Sequence, residues 1–237
     1  MPQKLWARLI KGPEVRFISH LDLLGTVEKA LRRAQVPIAF SQGYNPQPKI
    51  AFAAALPVGM TSSGEYAEFI LGEPWPLEYF REQVNRQLPP GLELEAVREV
   101  PGGYPALMAI VDLARYQMGL KLPAGIKKEH FSLAWEGFLS REEVKITRQT
   151  RKGVRNFNLI PYVYGYQIHC DSTDLITVTI DLKLGPRGSV RPGEVVETFW
   201  TVSGWEGRVV FLHREGLYIV RDDGIYSPLT IEFQHPG

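Results

Sequence analysis

The start of the first predicted helix contains residue types that could bind an anion. Arg16 stands shortly before Ser19-His20-Leu21-Asp22, where Ser19 and Asp22 are typical of a shortened capping box. A helix N-terminus presents free amides and a partial positive charge, which attract phosphate or carboxylate, and Arg16 and His20 would strengthen that attraction. The alternative is that Ser19 and Asp22 only cap the helix while His20 packs against a sheet. Both interpretations stay open.

A second candidate is the turn-rich segment 42–48. Its two prolines and one glycine stiffen the chain, so that Tyr44 could stack on a base or ring. Lys49 follows directly and is a further candidate for binding an anion. The alternative is a rigid connection in which Tyr44 covers the core.

The most basic segment has five cations in eleven residues and no acid between them. Arg151-Lys152-Gly153 is typical of a hairpin turn, which would direct its cations outward. Four aromatic residues follow, and a basic hairpin beside aromatic rings suits RNA. The alternative is an ordinary solvated hairpin. The cations are Lys145, Arg148, Arg151, Lys152 and Arg155, and the aromatic residues are Phe157, Tyr162, Tyr164 and Tyr166.

A glycine- and arginine-containing loop, 185–192, is the fourth candidate. Its glycines allow close approach of the backbone, and Arg187 and Arg191 could each bind phosphate oxygens with two nitrogens. It is not a nucleotide P-loop, because no Gly-Lys-Ser/Thr follows.

The residue types that catalysis or metal binding would need are largely missing. Cys170 is the single cysteine, so the chain has no Cys-x3-Cys-x2-Cys motif for an iron–sulfur cluster. The five histidines lack the spacing of metal ligands. We therefore predict no metal and no cofactor, and no catalytic residue beyond His20, the one candidate for a general acid or base.

Composition sets the class of protein and the distribution of charge. The chain of 237 residues is 44% hydrophobic and 22% charged, which is typical of a globular protein. It has no apolar run of about 20 residues and no apolar signal-peptide core at its N-terminus, so we expect a cytoplasmic protein. Segments 1–60 and 111–160 are basic, whereas 61–110 and 161–237 are acidic. The two basic segments could therefore form one positive face.

The elements that must position these residues predict an α+β fold. In the first half, polar–apolar alternation and helical periodicity give the order β-α-β-β-α-β, which is the ferredoxin-like unit, and the second half repeats that order. We predict two tandem ferredoxin-like lobes, 1–104 and 105–237, the second with a small C-terminal β extension. The predicted elements include a strand at 109–122 and turns at Glu215-Gly216 and Asp223-Gly224.

Four groups of residues carry a family resemblance: 16–23 with 30–34, 41–46 with 56–59, 188–192, and 213–229. Together they resemble a known bacterial family, the radical-SAM-linked conserved hypothetical proteins. These proteins form a domain of unknown function that is encoded beside, or fused to, a radical SAM protein. The sequence departs from the family at Gly25, where a basic residue is usual, and at 158–161, where an acid and an arginine usually precede the proline. The resemblance implies a radical SAM partner and no established activity.

Three functions are compatible with these sequence features. The first is a non-catalytic accessory to a radical SAM enzyme that binds RNA or presents a substrate through its basic loops. The second is a protein–protein interaction module that uses the acidic segment 61–110 and exposed aromatic residues. The third is a metal-independent RNA-processing enzyme that resembles an endoribonuclease, with His20 as general acid or base.

Overall fold

The computed structural model describes residues 2–150, 153–170, 175–185 and 188–233. It confirms the α+β class and has a large, mostly antiparallel sheet with few helices. The strands are β1 (Gln3–Lys11), β2 (Ile50–Phe52), β3 (Thr61–Leu71), β4 (Leu92–Val100), β5 (Leu113–Lys121), β6 (Lys145–Thr150), β7 (Gly153–Asn158), β8 (Val163–Cys170), β9 (Leu175–Lys183), β10 (Arg208–Arg221) and β11 (Gly224–Tyr226). The helices are α1 (His20–Arg33), α2 (Leu77–Asn85), α3 (Leu107–Ile110), α4 (Lys128–Leu139) and α5 (Pro192–Ser203).

The chain forms two compact units. Unit 1 consists of Met1–Asp112 and Arg214–Gly237, and unit 2 consists of Leu113–His213. The sequence predicts a boundary between residues 104 and 105. In the structure, the first segment of unit 1 extends to Asp112, and the C-terminal segment from Arg214 also belongs to unit 1.

Unit 1 contains the strands β4–β1–β3 in that order and the part of β10 from Arg214 onward, with β2 also paired to β3. β1 is antiparallel to both β3 and β4, and β2 is antiparallel to β3. Helix α1 buries Leu23, Val27, Ala30 and Leu31, which recur every three or four residues and so lie on one side of the helix. They join the core of the unit together with the inward residues of β1 and β3.

Unit 2 contains β5–β9–β8 in that order and the part of β10 up to His213, and β6 and β7 form a separate hairpin. The alternating burial of β9 confirms the strand predicted from its β-branched residues. Aromatic side chains fill the space between α4 and α5, where the rings of Trp135 and Phe199 lie 4.8 Å apart. The β6–β7 pairing, from Lys145–Asn158 to Thr150–Gly153, confirms the predicted basic hairpin.

Two local predictions are wrong. Residues 109–110, where the predicted strand 109–122 begins, belong to helix α3, and the strand itself occupies Leu113–Lys121. The amide of Leu107 donates to a carboxylate oxygen of Glu68 at 3.2 Å. Glu215-Gly216 does not turn, because it lies inside the 14-residue strand β10. A Cβ on Gly64 would lie 2.4 Å from the carbonyl oxygen of Glu215, so the two backbones are in close contact there. This packing keeps the glycine-containing pair extended.

Within the described ranges, none of the helices has the length and apolar character that a membrane crossing requires.

Candidate functional site

The start of α1 has the predicted cap. The Oγ of Ser19 accepts from the amide of Asp22 at 3.2 Å, and the Oδ2 of Asp22 accepts from the amide and the hydroxyl of Ser19 at 3.3 and 2.7 Å. The hydrogen bond from the Ser19 side chain, aided by the backbone hydrogen bond, lowers the pKa of Asp22. The first turn of the helix therefore already carries a carboxylate of its own, which offsets part of the attraction for an external anion.

His20 and Arg16 flank this cap in different ways. The His20 ring packs edge-on against Phe52, with centroids 5.5 Å apart, and its Nδ1 is buried without a hydrogen-bond partner among the described residues. Arg16 is exposed, and its guanidinium lies 4.6 Å from the centre of the Phe17 ring. The anion-binding role of Arg16 and His20 stays a prediction.

A buried cation that sequence reasoning missed holds the backbone beside this helix start. Lys11 is 2% exposed, and its Nζ donates to the carbonyl oxygens of Arg16, Ile18 and Met60 at 3.0, 3.4 and 3.3 Å. Burial lowers its pKa, although nearby Glu65 opposes the shift. Lys11 thus links the loop before α1 to Met60, directly after the 56–59 stretch.

A buried ion pair is hydrogen-bonded to the backbone just before the 56–59 stretch. Arg214 and Glu65 are each 1% exposed, and Nη1 of Arg214 donates to both carboxylate oxygens of Glu65 at 3.1 and 2.9 Å. The Nη2 of Arg214 donates to the carbonyl oxygen of Ala55 at 2.9 Å. Burying charge is costly unless it is paired and hydrogen-bonded, and both conditions are met here.

The sequence did contain a signal for these buried charges. Lys11 is in phase with the inward residues Leu5, Ala7 and Leu9 of β1. Glu65 is likewise in phase with the inward residues Ala67, Phe69 and Leu71 of β3. A charged residue at an inward position of a strand indicates either the end of the strand or a buried partner.

The supported loops and the first turn of α1 present apolar side chains to solvent. We call Phe17, Leu21 and Val58, which are 68%, 76% and 57% exposed, the loop surface. The amide of Gly59 donates to the carbonyl oxygen of Arg16 at 2.8 Å, so the two loops touch. Because the backbone beneath is fixed by hydrogen bonds to buried charges, this exposure is built into the fold of unit 1.

The segment 42–48 is a projecting loop. Bridge pairing of Phe40 with Pro48 and a 2.8 Å hydrogen bond from the amide of Ser41 to the carbonyl of Gln47 close its base. Tyr44 is fully exposed, so it does not cover the core, and Lys49 beyond the base is exposed as well.

In unit 2, Arg148 fixes the stem of the basic hairpin. Its Nε and Nη2 donate to the two carboxylate oxygens of Glu194 at 2.6 Å each, and Nη2 also donates to the carbonyl oxygen of Ser189 at 2.9 Å. Its guanidinium lies 4.9 Å from the centre of the Phe157 ring. The predicted hairpin and the described part of the glycine–arginine loop are therefore neighbours.

Glu194 also orders the start of α5. Its Oε2 accepts from the amide of Arg191 at 2.8 Å. Burial tends to raise the pKa of Glu194, but the hydrogen bonds from Arg148 and from the Arg191 amide outweigh it, and the pKa is lowered. Gly188, at φ +132°, lies against Tyr162, whose hydroxyl would be 2.6 Å from a Cβ at that position.

Two of the predicted cations of this region, Arg155 and Arg191, are exposed. Arg155 lies directly opposite Arg148 in the hairpin, and Arg191 immediately precedes α5. Because opposed residues share a face, Arg155 is on the side of the hairpin from which Arg148 reaches Glu194. The other three predicted binding residues, Arg151, Lys152 and Arg187, lie outside the described residues. We call Arg155 and Arg191 the basic surface.

Exposed tyrosines lie on the outer strand of the same unit. Tyr164 and Tyr166, in β8, are 49% and 37% exposed. β8 is the last strand in the order β10–β5–β9–β8. Burial, with a smaller contribution from Glu136, raises the pKa of Tyr166, so its hydroxyl stays protonated and can donate a hydrogen bond at neutral pH.

Across the residues that the structure describes, no group of three or more His, Cys, Asp or Glu side chains could hold a metal ion.

Comparison with known proteins identifies the family. The model of a family described as "Uncharacterized protein conserved in bacteria (DUF2344)" matches residues 4–192, and the chain belongs to this family. Among curated proteins, none matches the sequence.

The fold is similar to parts of larger solved proteins. One is a chain in the crystal structure of a Cbf5-Nop10-Gar1 complex, with a TM-score of 0.51 and 9% identity over 89% of this chain and 47% of that one. Another is in the structure of an H/ACA RNP bound to a substrate RNA containing 2'-deoxyuridine, with a TM-score of 0.51 and 10% identity over 89% and 46%. The chain spans about half the length of these structures, and the likeness concerns the fold.

Proposed function

We propose that this chain is a non-catalytic accessory protein that binds single-stranded RNA through the basic surface of unit 2. The observation that carries the proposal is the double hydrogen bond between Arg148 and Glu194. It neutralises the acid beside Arg191 and fixes the hairpin stem against residues 188–194. Arg155 and Arg191 then remain exposed on a fixed backbone, where they can contact phosphates.

Exposed aromatic side chains of the same unit also suit a single strand. Phosphate contacts supply affinity through counterion release, and exposed tyrosines accept any base by stacking. Tyr164 and Tyr166 on β8 offer such rings. RNA is therefore the polyanion that this combination favours, and binding should depend little on sequence.

The proposal includes a tandem ferredoxin-like interpretation of the fold. Unit 1 has the strand order β4–β1–β3–β2 with antiparallel neighbours, which is the order of that fold. Unit 2 has the corresponding order β10–β5–β9–β8, if the β6–β7 hairpin is taken as an insertion after α4. These two strand orders support the interpretation.

The proposal also names a partner and a location. The resemblance to the radical-SAM-linked proteins motivates a radical SAM enzyme as the protein that this accessory serves, in the cytoplasm. One of the structures with a similar fold contains RNA, which adds a reason to try RNA first.

Filter binding to total cellular RNA over a salt series tests the RNA proposal. We expect affinity to fall linearly on a log–log plot against salt. Bound RNA should stay intact in EDTA, with the wild type and with the His20→Ala variant alike. An absence of salt-dependent binding would refute the proposal, whereas cleavage in EDTA that His20→Ala abolishes would favour the endoribonuclease-like alternative.

A protein-interaction module is the second candidate, and the loop surface favours it. Phe17, Leu21 and Val58 are exposed over loops that Lys11 fixes, and an exposed apolar group on a fixed backbone suits a protein partner. Co-purification with the radical SAM neighbour tests this role. Phe17→Ser with Leu21→Ser should abolish co-purification while leaving RNA binding intact. The matched control is Leu133→Ser, another exposed leucine, in α4 of unit 2.

A further inference from the structure

A cleft of about 620 Å3 lies in unit 1 between α1 and the segment from Val36 to Ile50. Its volume is within the range of about 300–1,000 Å3 that small-molecule sites occupy. The apolar side includes Val36, Ile38 and Ile50, and Phe40, which is 52% exposed, stands at the base of the projecting loop. The cleft therefore offers a largely apolar slot that includes one accessible aromatic ring.

Another part of the lining is a polar face of α1. Gly25, Glu28, Lys29 and Arg32 line it, and their spacing of three and four residues places them on one side of the helix. Lys29 and Arg32 are exposed, and among the described residues neither side chain donates a hydrogen bond or forms a salt bridge, although Lys29 interacts electrostatically with Asp22. By contrast, the next cation, Arg33, donates to the carbonyl of Gln87 at 2.6 Å. The cleft thus has two cations available to an anionic group.

Gly25 leaves open space at the cleft. No heavy atom lies within 4 Å of the position that a Cβ on Gly25 would occupy. Glycine inside a helix is unfavourable, because it gains no packing and loses more backbone freedom than alanine. Packing therefore does not explain why a glycine stands at position 25 in the helix interior. A longer side chain at this position would extend into the cleft.

Gln35 supplies an amide at the end of α1. It adopts φ +56°, in the left-handed region that a residue other than glycine seldom adopts. Its amide donates to the carbonyl of Arg32 at 3.1 Å, and the next amide, of Val36, donates to Leu31 at 3.0 Å. The reversal of the chain places Gln35 on the cleft, where its side chain can both donate and accept a hydrogen bond.

We propose that this cleft is a nucleotide-binding site. The flat ring packs against Phe40 and the apolar side, Glu28 or Gln35 bonds to polar atoms of the base, and Lys29 and Arg32 bind the phosphate. A flat ring and an anion in one molecule match both the apolar and the cationic lining. The site is in unit 1 and uses none of the residues of the basic surface, so it goes beyond the RNA proposal and can fail independently of it.

Equilibrium dialysis with AMP, CMP, GMP and UMP at low salt tests the site. We expect at least one of them to bind with a Kd below about 1 mM. The matching nucleoside should bind about tenfold more weakly, because it lacks the phosphate. The variant Lys29→Gln with Arg32→Gln should weaken nucleotide binding by a similar factor and leave nucleoside binding unchanged. A nucleoside that binds as tightly as its nucleotide would overturn the proposal.

Gly25→Met provides the sharper test, because it places a long side chain in the cleft without removing any contact. It should abolish nucleotide binding while the melting temperature stays the same or rises. Gly137→Met is the matched control, since Gly137 also lies in a helix with no heavy atom within 4 Å of its Cβ position, but in unit 2. Unchanged binding in Gly25→Met, or no binding of any nucleotide by the wild type, would refute the site.

A 5′-phosphorylated oligoadenylate distinguishes the two sources of the nucleotide. If it competes with AMP for the wild type, the site takes the end of an RNA chain. If it does not compete, the ligand is a free nucleotide. Loss of salt-dependent RNA binding in Arg155→Gln with Arg191→Gln, with AMP binding retained, would show that the two sites are separate.

Discussion

Two arginine–carboxylate pairs, one in each unit, have similar bonding and different exposure. Arg214–Glu65 in unit 1 is 1% exposed at both side chains, whereas Arg148–Glu194 in unit 2 is 24% and 16% exposed. Each arginine also donates to a backbone carbonyl, that of Ala55 or that of Ser189, and so holds a loop that contains family-like residues. The buried pair can only support the fold, while the partly exposed pair adjoins cations that solvent and ligands can reach.

The largest expected effect is on the buried pair. Glu65→Gln leaves the Arg214 guanidinium charged and without its counter-charge, so the free energy of unfolding should fall by about 3–5 kcal/mol. Urea denaturation measures the change. The double variant Glu65→Leu with Arg214→Met should recover much of the loss, because apolar replacement of both partners removes the desolvation cost. If the double variant lost as much free energy of unfolding as Glu65→Leu and Arg214→Met lose together as single variants, this account would be contradicted.

The partly exposed pair should give a smaller, pH-dependent effect. Glu194→Gln should lower the free energy of unfolding by about 1–2 kcal/mol at pH 7, because hydrogen bonds to a charged group are removed from a site that water partly screens. The pKa of Glu194 is lowered in the folded protein. Its contribution is therefore fully present above the usual glutamate pKa of 4.5 and disappears as the pH falls below that value.

Urea denaturation of the wild type and Glu194→Gln from pH 7 to pH 3 checks this sign. The difference between the two proteins should shrink as the pH falls. A difference that is constant over this range would show that the charge of the Glu194 carboxylate contributes nothing to the free energy of unfolding. The pairs Arg148–Glu194 and Arg214–Glu65 would then differ only in burial.

The helix cap at Ser19 should give the smallest effect of the three. Ser19→Ala should lower the free energy of unfolding by about 1 kcal/mol, because the cap is removed. His20→Ala, one residue further on, should cost less, since the ring packs edge-on against Phe52 and its Nδ1 has no hydrogen-bond partner among the described residues. Thermal melting of both variants makes the comparison. If His20→Ala costs as much as Ser19→Ala, the role of His20 is in packing.

Local patterns predicted much of the fold. The capping box of α1, the alternating strand β9 and the hairpin β6–β7 each depend on neighbouring residues, so the sequence contained enough information. Neighbouring residues were not sufficient to predict the structure at Glu215-Gly216, because a close approach to Gly64, far away in sequence, keeps this pair extended. A turn signal predicts a turn only where no distant partner stabilises the strand.

The site was predicted less well, because charge alone does not tell a supporting cation from a free one. Arg148 and Arg155 are equivalent in the basic run, yet one is hydrogen-bonded to Glu194 and the other is exposed. The partner of Arg148 is 46 residues away and could not be identified from the spacing. The charges of Lys11 and Glu65 were visible at inward strand positions, but their partners were not.

The most direct test of the basic surface is a salt titration of RNA binding by Arg155→Gln with Arg191→Gln. The control is Arg81→Gln with Arg86→Gln, which also removes two cations, these from unit 1, where they pair with Glu78 and Glu82. We predict weaker binding across RNA sequences and a log–log salt slope smaller by about 0.7 for each phosphate that the variant no longer binds, with the control unchanged. Equal slopes in the wild type and the Arg155–Arg191 variant would contradict the account.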